Sequence, residues 1–335
     1  MKPTIKDVAQ KANVSIATVS RILNNQLGYS EKTKERVLKV IEELGFRPNA
    51  IARGLVSRRT KTIGVLLPNV TSSFASKLLK GIEKSAHEND YSMIVCNTDH
   101  SGSRTLDYLN ILGEKKVDGL IFSSQEIKEE YYETITRLGI PVILISSMSY
   151  RFPLPYVKVD DRQAAYHATS YLIKNGHEKI AMISGDDDLT GKPRMEGYKQ
   201  AMEDHELPLN EKLIVYGGFD FESGKKCMKQ LLPLKNEFTA VFSASDDMAV
   251  GAMSAAYENN LKVPDDFSII GFDNTLVAEM AIPPLTTVAQ PLWEMGKMAI
   301  EKVIEMIESE GHHTSSSIMN FQIIERKSVK ILKST

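Results

Sequence analysis

One face of a predicted helix near the N-terminus is not needed for packing. The buried stripe of that helix is formed by Val19, Ile22 and Leu23. Arg21 lies on the opposite face together with Ile16 and Ala17. A guanidinium matches the paired acceptors of a guanine edge, and small apolar side chains suit contact with a thymine methyl group. The face therefore predicts base contacts in a DNA major groove, although an ordinary solvated arginine is the alternative for Arg21.

Hydroxyl and amide side chains on or beside the same helix suit contact with DNA phosphates, which fix position without specifying a sequence. These side chains belong to Thr18, Ser20 and Asn24. The hydroxyls of Thr4 and Ser15 stand at predicted helix starts and complete the predicted DNA contacts in this part of the chain.

Polar and aromatic residues follow predicted strands in the remainder of the chain. The four with the most suitable chemistry are Arg194, Phe219, Ser245 and Asp273. A bound sugar needs carboxylate or amide groups near vicinal hydroxyls, a guanidinium donor, and an aromatic plane over its C–H face. These residues supply those groups and are candidates for a sugar site. A capping role is an equally open alternative for strand-exit residues such as Ser184 and Asp246.

Short helices must position the N-terminal face. Apolar spacing predicts three of them, at about 5–12, about 15–24 and 30–44. Thr4 and Asp7 resemble a capping box at the first start. The short turn between the first two helices is typical of a helix-turn-helix unit. We therefore predict an all-α helix-turn-helix head over residues 1–46.

A conditional helix is predicted in the segment that follows. Pro48 disfavours helix before it, and residues 49–56 are too short, and with Gly54 too flexible, to form a stable helix alone. Leu55 lies among arginines and suits insertion into a minor groove as an apolar wedge. A hinge helix or a plain basic linker is therefore expected over residues 47–60.

Strands and helices alternate from residue 61 onward. Eight apolar runs predict strands at 62–67, 92–97, 119–123, 142–145, 179–184, 213–217, 240–243 and 268–272. Val-rich, Ile-rich and Leu-rich strands separated by helices indicate parallel sheets that are covered on both faces. Two such series predict an α/β body of two doubly wound lobes, with a ligand in the cleft between them.

Charge is divided unevenly along the chain. Residues 1–60 carry 12 Lys and Arg against 5 Asp and Glu, a net charge of +7, and the remainder carries 29 against 38, a net charge of −9. A basic head on an acidic body is expected when one small domain meets a polyanion and the rest does not.

Composition excludes several classes of protein. The 335 residues are 42% hydrophobic and 25% charged, which is typical of a folded protein of two or three domains. No apolar run reaches the roughly 18 residues of a spanning helix and no signal-peptide core begins the chain, so we expect a cytoplasmic protein with no membrane partner. Cys96 and Cys227 are expected to be buried thiols. No cofactor or metal is expected, since residues 186–188 lack the rest of a calcium loop.

No linear catalytic motif is present. The sequence lacks GxxxxGK[ST], HExxH, GxSxG and a GxGxxG after the first strand. We therefore do not expect an enzyme, although catalytic residues need not form linear motifs. A transport binding protein is a further alternative, but the basic head and the missing export signal argue against it.

Three segments resemble a known family. They read TIKDVA at 4–9, NVSIATVSRILN at 13–24 and RPNAIARGL at 47–55. These segments are similar to the N-terminal signature of the lactose-repressor family of bacterial transcription regulators, and the similarity continues through the chain. The stretch at 14–21 is most similar to the catabolite control protein branch.

The resemblance implies an architecture and roles for particular residues. The body, residues 61–335, would be of periplasmic-binding-protein type, with an N-lobe of about 61–159 and 289–319 and a C-lobe of about 160–288 and 320–335. Ile16, Ala17 and Arg21 would read bases. The contacts of the hinge segment with DNA would be Asn49, Ala52, Arg53 and Leu55. The contacts with an effector would be Phe74, Ser146, Arg194, Phe219, Ser245 and Asp273.

Two positions depart from the family pattern. Ser146 stands where many members carry a sugar-binding aspartate, and Ala75 follows Phe74 where an aromatic residue is common. We therefore expect a less acidic pocket, which would suit a wider or phosphorylated ligand.

The predicted function is repression of carbohydrate-use genes by a homodimer on operator DNA, under the control of a small sugar or sugar phosphate. The competing partner is a phosphorylated phosphocarrier protein, which docks on basic residues in the catabolite control branch. Here Glu301 and Gln322 replace two of those positions and Arg326 remains. Repulsion between Glu301 and a serine phosphate disfavours that partner.

Overall fold

The computed structural model describes residues 3–23, 27–46, 59–99, 101–123, 126–186, 189–309 and 314–332. The chain forms two compact units, Met1–Thr60 and Lys61–Thr335. Some predicted contacts lie outside the described residues, namely Asn24, Asn49, Ala52, Arg53 and Leu55.

Within its described residues the head unit has three helices: α1 Ile5–Lys11, α2 Ile16–Leu23 and α3 Glu31–Leu44. The predicted capping box is present, because the Thr4 hydroxyl accepts from the Asp7 N–H and the Asp7 carboxylate accepts from the Thr4 N–H. Helices α2 and α3 each begin one residue later than predicted. The reason is that Ser15 and Ser30 stay outside the helix and accept a hydrogen bond from an N–H of its first turn.

The head packs around one apolar core. Its buried residues are Val8, Ala9, Ala12, Val19, Ile22, Val37 and Val40. Leu23, which the helix pattern predicts to be buried, is only half-buried, as are Ile41 and Leu44, because these residues lie in the last turns of α2 and α3.

In the described part of the body, twelve strands form two sheets of six. The strands of the first sheet are β1 Thr62–Leu67, β2 Ser92–Asn97, β3 Gly119–Ser123, β4 Val142–Ile145, β5 Tyr156–Val159 and β11 Ser317–Met319. Those of the second are β6 Ile180–Gly185, β7 Ile214–Gly217, β8 Ala240–Ser243, β9 Ser268–Asp273, β10 Thr286–Ala289 and β12 Gln322–Ile324. The strand orders are β11-β5-β4-β3-β1-β2 and β12-β10-β9-β8-β6-β7.

Pairing is parallel, as predicted, except that β10 and β12 are antiparallel. The helices between the strands are α4 Ser73–Glu88, α5 Thr105–Glu114, α6 Glu129–Leu138, α7 Asp161–Lys174, α8 Gly191–Asp204, α9 Phe221–Leu231, α10 Asp246–Glu258, α11 Leu276–Met280 and α12 Leu292–Glu308. None of the described helices is both long enough and apolar enough to cross a membrane. Strand β1 sends Val65 into one core cluster and Leu66 into another, so the first sheet is buried on both faces.

Four strands escape the sequence prediction: β5, β10, β11 and β12. Each is short and mixes polar with apolar residues, as in YVKV and TTVA, so no apolar run marks it, whereas the equally short β4 reads VILI. All four stand where the chain passes from one sheet to the other, at residue 160, at 290–291 and at 320–321. The predicted buried thiols, Cys96 and Cys227, are confirmed as free and buried.

Helices α4 and α12 make an unusually close contact on the first lobe. A Cβ at Gly81 would collide with the carbonyl oxygen of Trp293, and a Cβ at Gly296 would collide with the carbonyl oxygen of Leu78. Glycine is therefore required on both helices, because any side chain would force them apart. This contact fixes α4, which reaches the cleft, to the helix that follows the crossing at 290–291.

His177 is a buried titratable group in the second lobe, between α7 and β6. Its Nε2 lies 3.1 Å from the Lys330 carbonyl oxygen and its Nδ1 lies 3.0 Å from the Thr239 hydroxyl. A neutral ring satisfies both contacts, since Nε2–H donates to the carbonyl and Nδ1 accepts from the hydroxyl. Burial lowers the pKa of His177 because it disfavours the imidazolium.

Acid should therefore destabilise the body through His177. Below about pH 6.5 the unfolded chain takes up a proton that the folded chain binds only at lower pH, so this contribution to stability is lost as the pH falls. We expect the melting temperature to drop between pH 7 and 5, by about 2–4 °C for each kcal/mol lost. The drop should be smaller in His177→Gln. The drop should persist in His87→Gln, because the His87 side chain is exposed. If the melting temperature fell equally with pH in both variants, the assignment to His177 would be contradicted.

Candidate functional site

The predicted base-reading face of α2 is exposed on the head unit. Ile16 is 45% exposed, and Ala17 and Arg21 are also exposed, whereas Val19 and Ile22 on the opposite side are buried. The apolar stripe therefore holds α2 in the head while the side chains best suited to base edges remain outside it. An exposed apolar side chain beside an exposed guanidinium provides both kinds of contact that a major groove offers.

The hydroxyl residues around this face have local partners. The Ser15 hydroxyl accepts from the Thr18 N–H at 3.1 Å and lies 2.9 Å from the Thr18 hydroxyl. The Thr4 hydroxyl donates to the Asp7 carboxylate at 2.7 Å. Both residues cap helices, and Thr18 and Ser20 are half-buried. Contact with a phosphate from these positions would therefore involve groups that also hold the helix starts in place.

A cavity lies between the two sheets of the body. All six predicted effector residues line it: Phe74, Ser146, Arg194, Phe219, Ser245 and Asp273. Phe74 and Ser146 come from the first lobe, and the other four come from the second. The six residues are up to 199 positions apart in the sequence. They lie together because parallel strands place the residues that follow them at one edge of the sheet.

Arg194 is held rigidly in the wall of the cavity. Its side chain is only 4% exposed. Both Nε and Nη2 donate to one carboxylate oxygen of Asp161, at 3.0 and 2.8 Å, and Nη1 donates to the Ala244 carbonyl oxygen. The guanidinium carbon also lies 3.7 Å from the ring centre of Phe272. These contacts leave few guanidinium protons for a ligand but fix the direction in which they point.

Asp273 and Asp246 form a buried pair of carboxyl groups beside Arg194. Burial raises the pKa of Asp246 to about 7, even though Thr275 and Thr287 donate hydrogen bonds to it. Burial also raises the pKa of Asp273, against the nearby positive charge of Arg194. The open alternative that Asp246 caps a helix is wrong, because Ser245 provides the cap of α10 and Asp246 ties three segments together.

Two cavity residues are bonded directly to points where the chain crosses between the lobes. Asp161, the partner of Arg194, is the first residue after the crossing at 160, and Lys158 just before it lies 3.4 Å from the same carboxylate. Gln290, at the second crossing, donates to Asp273 at 2.7 Å. The main cationic and anionic groups of the cavity are therefore each attached to a crossing.

Three of the six predicted residues have left-handed backbone conformations: Ser146 with φ 52°, Phe219 with φ 61° and Asp273 with φ 116°. Such conformations are unfavourable for residues other than glycine and cluster at functional sites. The Ser146 hydroxyl is buried, and no hydrogen-bond partner is present for it among the described residues. It is free to bond a ligand hydroxyl.

Two acidic residues of the cavity escape the sequence prediction, Asp186 and Asp247. Both follow predicted strands, so the strand-exit rule contains the signal, but the aspartate run at 186–188 reads as a solvated loop and Asp247 as part of a helix start. Together with Asp273 they place three carboxyl groups in the cavity wall. The less acidic pocket is a comparison with the family pattern at position 146, and it stays a prediction.

No group of three or more His, Cys, Asp or Glu side chains suited to a metal ion occurs in the part of the chain that the structure describes. The cavity instead combines carboxylates, hydroxyls, amides and two phenyl rings. That combination suits hydrogen bonding to several hydroxyl groups and packing against C–H surface.

Two family models match the chain. One, for bacterial regulatory proteins of the lacI family, covers residues 4–49, and the other, for periplasmic binding proteins and the sugar-binding domain of the LacI family, covers residues 60–327. The first match spans the head and the second spans nearly all of the body.

Individual proteins are similar over the same length. Catabolite control protein A of Priestia megaterium is 38% identical over 332 residues, which is 98% of this chain and 100% of that protein. The solved complex of the transcriptional regulator CelR with cellobiose has a TM-score of 0.74 at 29% identity and covers 97% of this chain and 99% of its own. The lac repressor dimer bound to operator and the anti-inducer ONPF has a TM-score of 0.86 at 24% identity, with 98% and 100% covered, which shows a common fold.

The Arg194–Asp161 pair provides a test of the site's electrostatics. Asp161→Asn leaves a buried guanidinium without its main partner, so we expect the free energy of unfolding to fall by about 3–5 kcal/mol. Adding Arg194→Met should recover most of that loss, because neither charge then remains buried. Urea unfolding of the full chain measures both effects. A double variant that is less stable than Asp161→Asn alone would contradict this account.

Proposed function

This chain belongs to the LacI family of bacterial regulatory proteins, and on that basis we propose that it represses carbohydrate-use genes in response to a small neutral sugar. It is a DNA-binding transcriptional regulator and not an enzyme. The observation that carries the choice of effector is the cavity, where carboxylates and hydroxyls lie with the rings of Phe74 and Phe219. Because its DNA target lies in the bacterial cytoplasm, we infer that the protein acts there.

Charge favours a neutral sugar over a sugar phosphate. Asp186, Asp247 and Asp273 line the cavity, while Arg194 is the one cation among the described residues that line it. Arg194 is already paired with Asp161 at 2.8 Å, a carboxylate that Lys158 also contacts. A phosphate dianion would be repelled by the carboxylates of Asp186 and Asp247. Hydroxyl groups can donate to the same carboxylates without that repulsion.

We propose that α2 enters the major groove and that Arg21 contacts a guanine there. The exposure of Ile16, Ala17 and Arg21 supports this role. Phosphate contacts from Thr4, Ser15, Thr18, Ser20 and Asn24 would position the helix. The roles of Asn49, Ala52, Arg53 and Leu55 in a minor groove rest on their sequence pattern alone.

We propose a homodimer that places two heads on a pseudopalindromic operator, since one three-helix head offers little contact area. The body presents exposed apolar side chains that a second copy would cover. Leu276, Met280 and Ile282 are 64%, 70% and 94% exposed, and they follow one another on α11 and just after it. An exposed apolar patch of this kind is typical of an association surface.

We propose that the effector acts through the chain crossings. Arg194 is hydrogen-bonded to Asp161, and Asp273 is hydrogen-bonded to Gln290. A sugar that binds Arg194 and Asp273 would therefore also shift Asp161 and Gln290, which stand at two of the crossings. A change in lobe closure would alter the spacing of the two N-lobes in the dimer, and with it the ability of the two hinge segments to fold on DNA. Coupling of this kind is typically worth about 1–3 kcal/mol, or roughly 5- to 150-fold in DNA affinity.

Control by a phosphorylated protein has less support. Glu301 lies with Glu305 and Glu308 on one surface, which would repel a phosphate group. Arg326 is engaged elsewhere, because it donates to the Leu285 carbonyl and the Asn274 amide oxygen. These contacts support a small-molecule effector.

The DNA role predicts a specific loss in Arg21→Ala. Operators selected from random duplexes by the parent protein should bind the variant about 5- to 150-fold more weakly for each half-site, because a bidentate guanine contact is worth about 1–3 kcal/mol. Binding to unrelated duplexes should change little. Lys39→Ala, an exposed substitution on α3, serves as the control. Equal operator affinity for Arg21→Ala and the parent would contradict the assignment.

The effector role predicts a preference by charge. Binding is measured by calorimetry with glucose, cellobiose and their 6-phosphates. We expect a neutral sugar to bind saturably, and its phosphate ester to bind with an affinity at least about tenfold lower. Asp186→Asn should narrow that difference, because it removes one of the opposing charges. The neutral sugar that binds should also change operator affinity. Tighter binding of a phosphate ester by the parent would refute the proposal.

A further inference from the structure

Two hydrogen bonds join the lobes directly across the mouth of the cavity. The Lys77 ammonium on α4 donates to the Asn274 carbonyl oxygen at 2.7 Å, and the Ser73 N–H at the start of α4 donates to the Asp247 carboxylate at 3.1 Å. Lys77 and Ser73 belong to the first lobe, and Asn274 and Asp247 belong to the second. The two donors are one helical turn apart, so both bonds would lengthen if the lobes separated at this edge.

We propose that these two bonds form a latch that holds the cleft closed through the protein's own groups. The inference deepens the proposed function and rests on it for the identity of the cavity as the effector site. Without an effector, the latch sets the balance between closed and open lobes. An effector then acts on a cleft that is already biased toward closure.

The chemistry of the latch favours closure in three ways. The first-turn N–H groups of a helix have no partner within the helix, so Asp247 satisfies one that Ser72, the cap within the lobe, leaves unpaired. A carboxylate at a helix N-terminus is further stabilised by the helix dipole. A bond from an ammonium to a carbonyl is stronger than a bond between neutral groups.

The latch groups are held in place on both sides. Asn274 has φ 55°, and its side chain accepts from Arg326 at 2.7 Å, which fixes the direction of its carbonyl group. On the other side, the glycine contact of Gly81 with α12 fixes α4. The Ser73 N–H and the Asn274 carbonyl are therefore fixed in advance and lose little entropy on bonding, whereas the Lys77 side chain must be ordered when it donates.

The latch is adjacent in sequence to the effector residues. Ser73 precedes Phe74, Asn274 follows Asp273, and Asp247 itself lines the cavity. An effector that bonds Asp247 competes with the Ser73 N–H for the carboxylate. An effector that bonds Asp273 instead acts on the residue next to Asn274, whose carbonyl oxygen accepts from Lys77. Effectors of different shape can therefore strengthen or weaken the same latch.

The test measures lobe separation in the full chain with no sugar and no DNA. Spin labels are placed at two exposed positions, Ser103→Cys in the turn that follows β2 of the first lobe and Glu222→Cys in the first turn of α9 in the second lobe. The native thiols, Cys96 and Cys227, are buried. Distances are measured by electron–electron double resonance. Labelled chains are diluted with unlabelled chains, so that distances between two labels on the same chain dominate the signal.

We expect most chains of the parent protein to show the shorter of the two interlobe distances, which corresponds to the closed cleft. Lys77→Met should lower the ratio of closed to open chains about tenfold, which corresponds to the loss of one charge-assisted hydrogen bond. Lys77→Arg should restore most of the closed population. Lys80→Met, an exposed lysine one turn along α4, should match the parent. The double variant Lys77→Met/Asp247→Ala should be more open than either single variant.

The latch is overturned if the double variant keeps the parent's distance distribution, or if Lys80→Met opens the cleft as much as Lys77→Met does. Melting curves establish that each labelled variant is folded. The outcome is independent of the proposed function, since a parent that binds neither operator nor sugar would refute that function while the distance measurement still reports on the latch.

Discussion

The ion pair between Arg194 and Asp161 is the interaction on which the body's design depends. Two buried charges are tolerated only when each is closely paired, because an isolated charge in the interior is expensive. Arg194 faces the cavity and Asp161 begins the helix after a chain crossing. The requirement for pairing therefore attaches the cavity wall to the connection between the lobes, and neither can move far without the other.

The same requirement shapes the rest of the cavity. Asp246 and Asp273 are buried close to each other, which burial alone would penalise, and they are held by Thr275, Thr287 and Gln290. Their donors come from β10, from the crossing after it and from the loop before α11. Under the proposed function, the carboxylates of this cavity would accept hydrogen bonds from hydroxyl groups and repel anions.

Much of this arrangement follows from local sequence patterns. Long apolar runs identify the central strands because those strands are buried on both faces, and the strand-exit rule identifies Arg194 and Asp273 because parallel strands end at one edge. The short strands β5 and β10 could not be found that way, because polar side chains interrupt their apolar residues. Asp247 was missed because its partner, Ser73, is 174 residues away in the sequence. The left-handed backbone of Ser146 and Asp273 also has no local signal, since neither is glycine.

The contact between Gly81 and Trp293 has a practical consequence for spectroscopy. Trp293 is the only tryptophan in the sequence, and it stands three residues beyond Gln290, with its ring 6.0 Å from the Lys84 ammonium. All indole emission of the protein therefore arises from one residue, which lies beside a connection between the lobes and far from the amino-terminal domain in sequence. Trp293 is thus a built-in optical reporter of the ligand-responsive half of the chain. Neither the first 60 residues nor a bound DNA duplex adds a second indole to its signal.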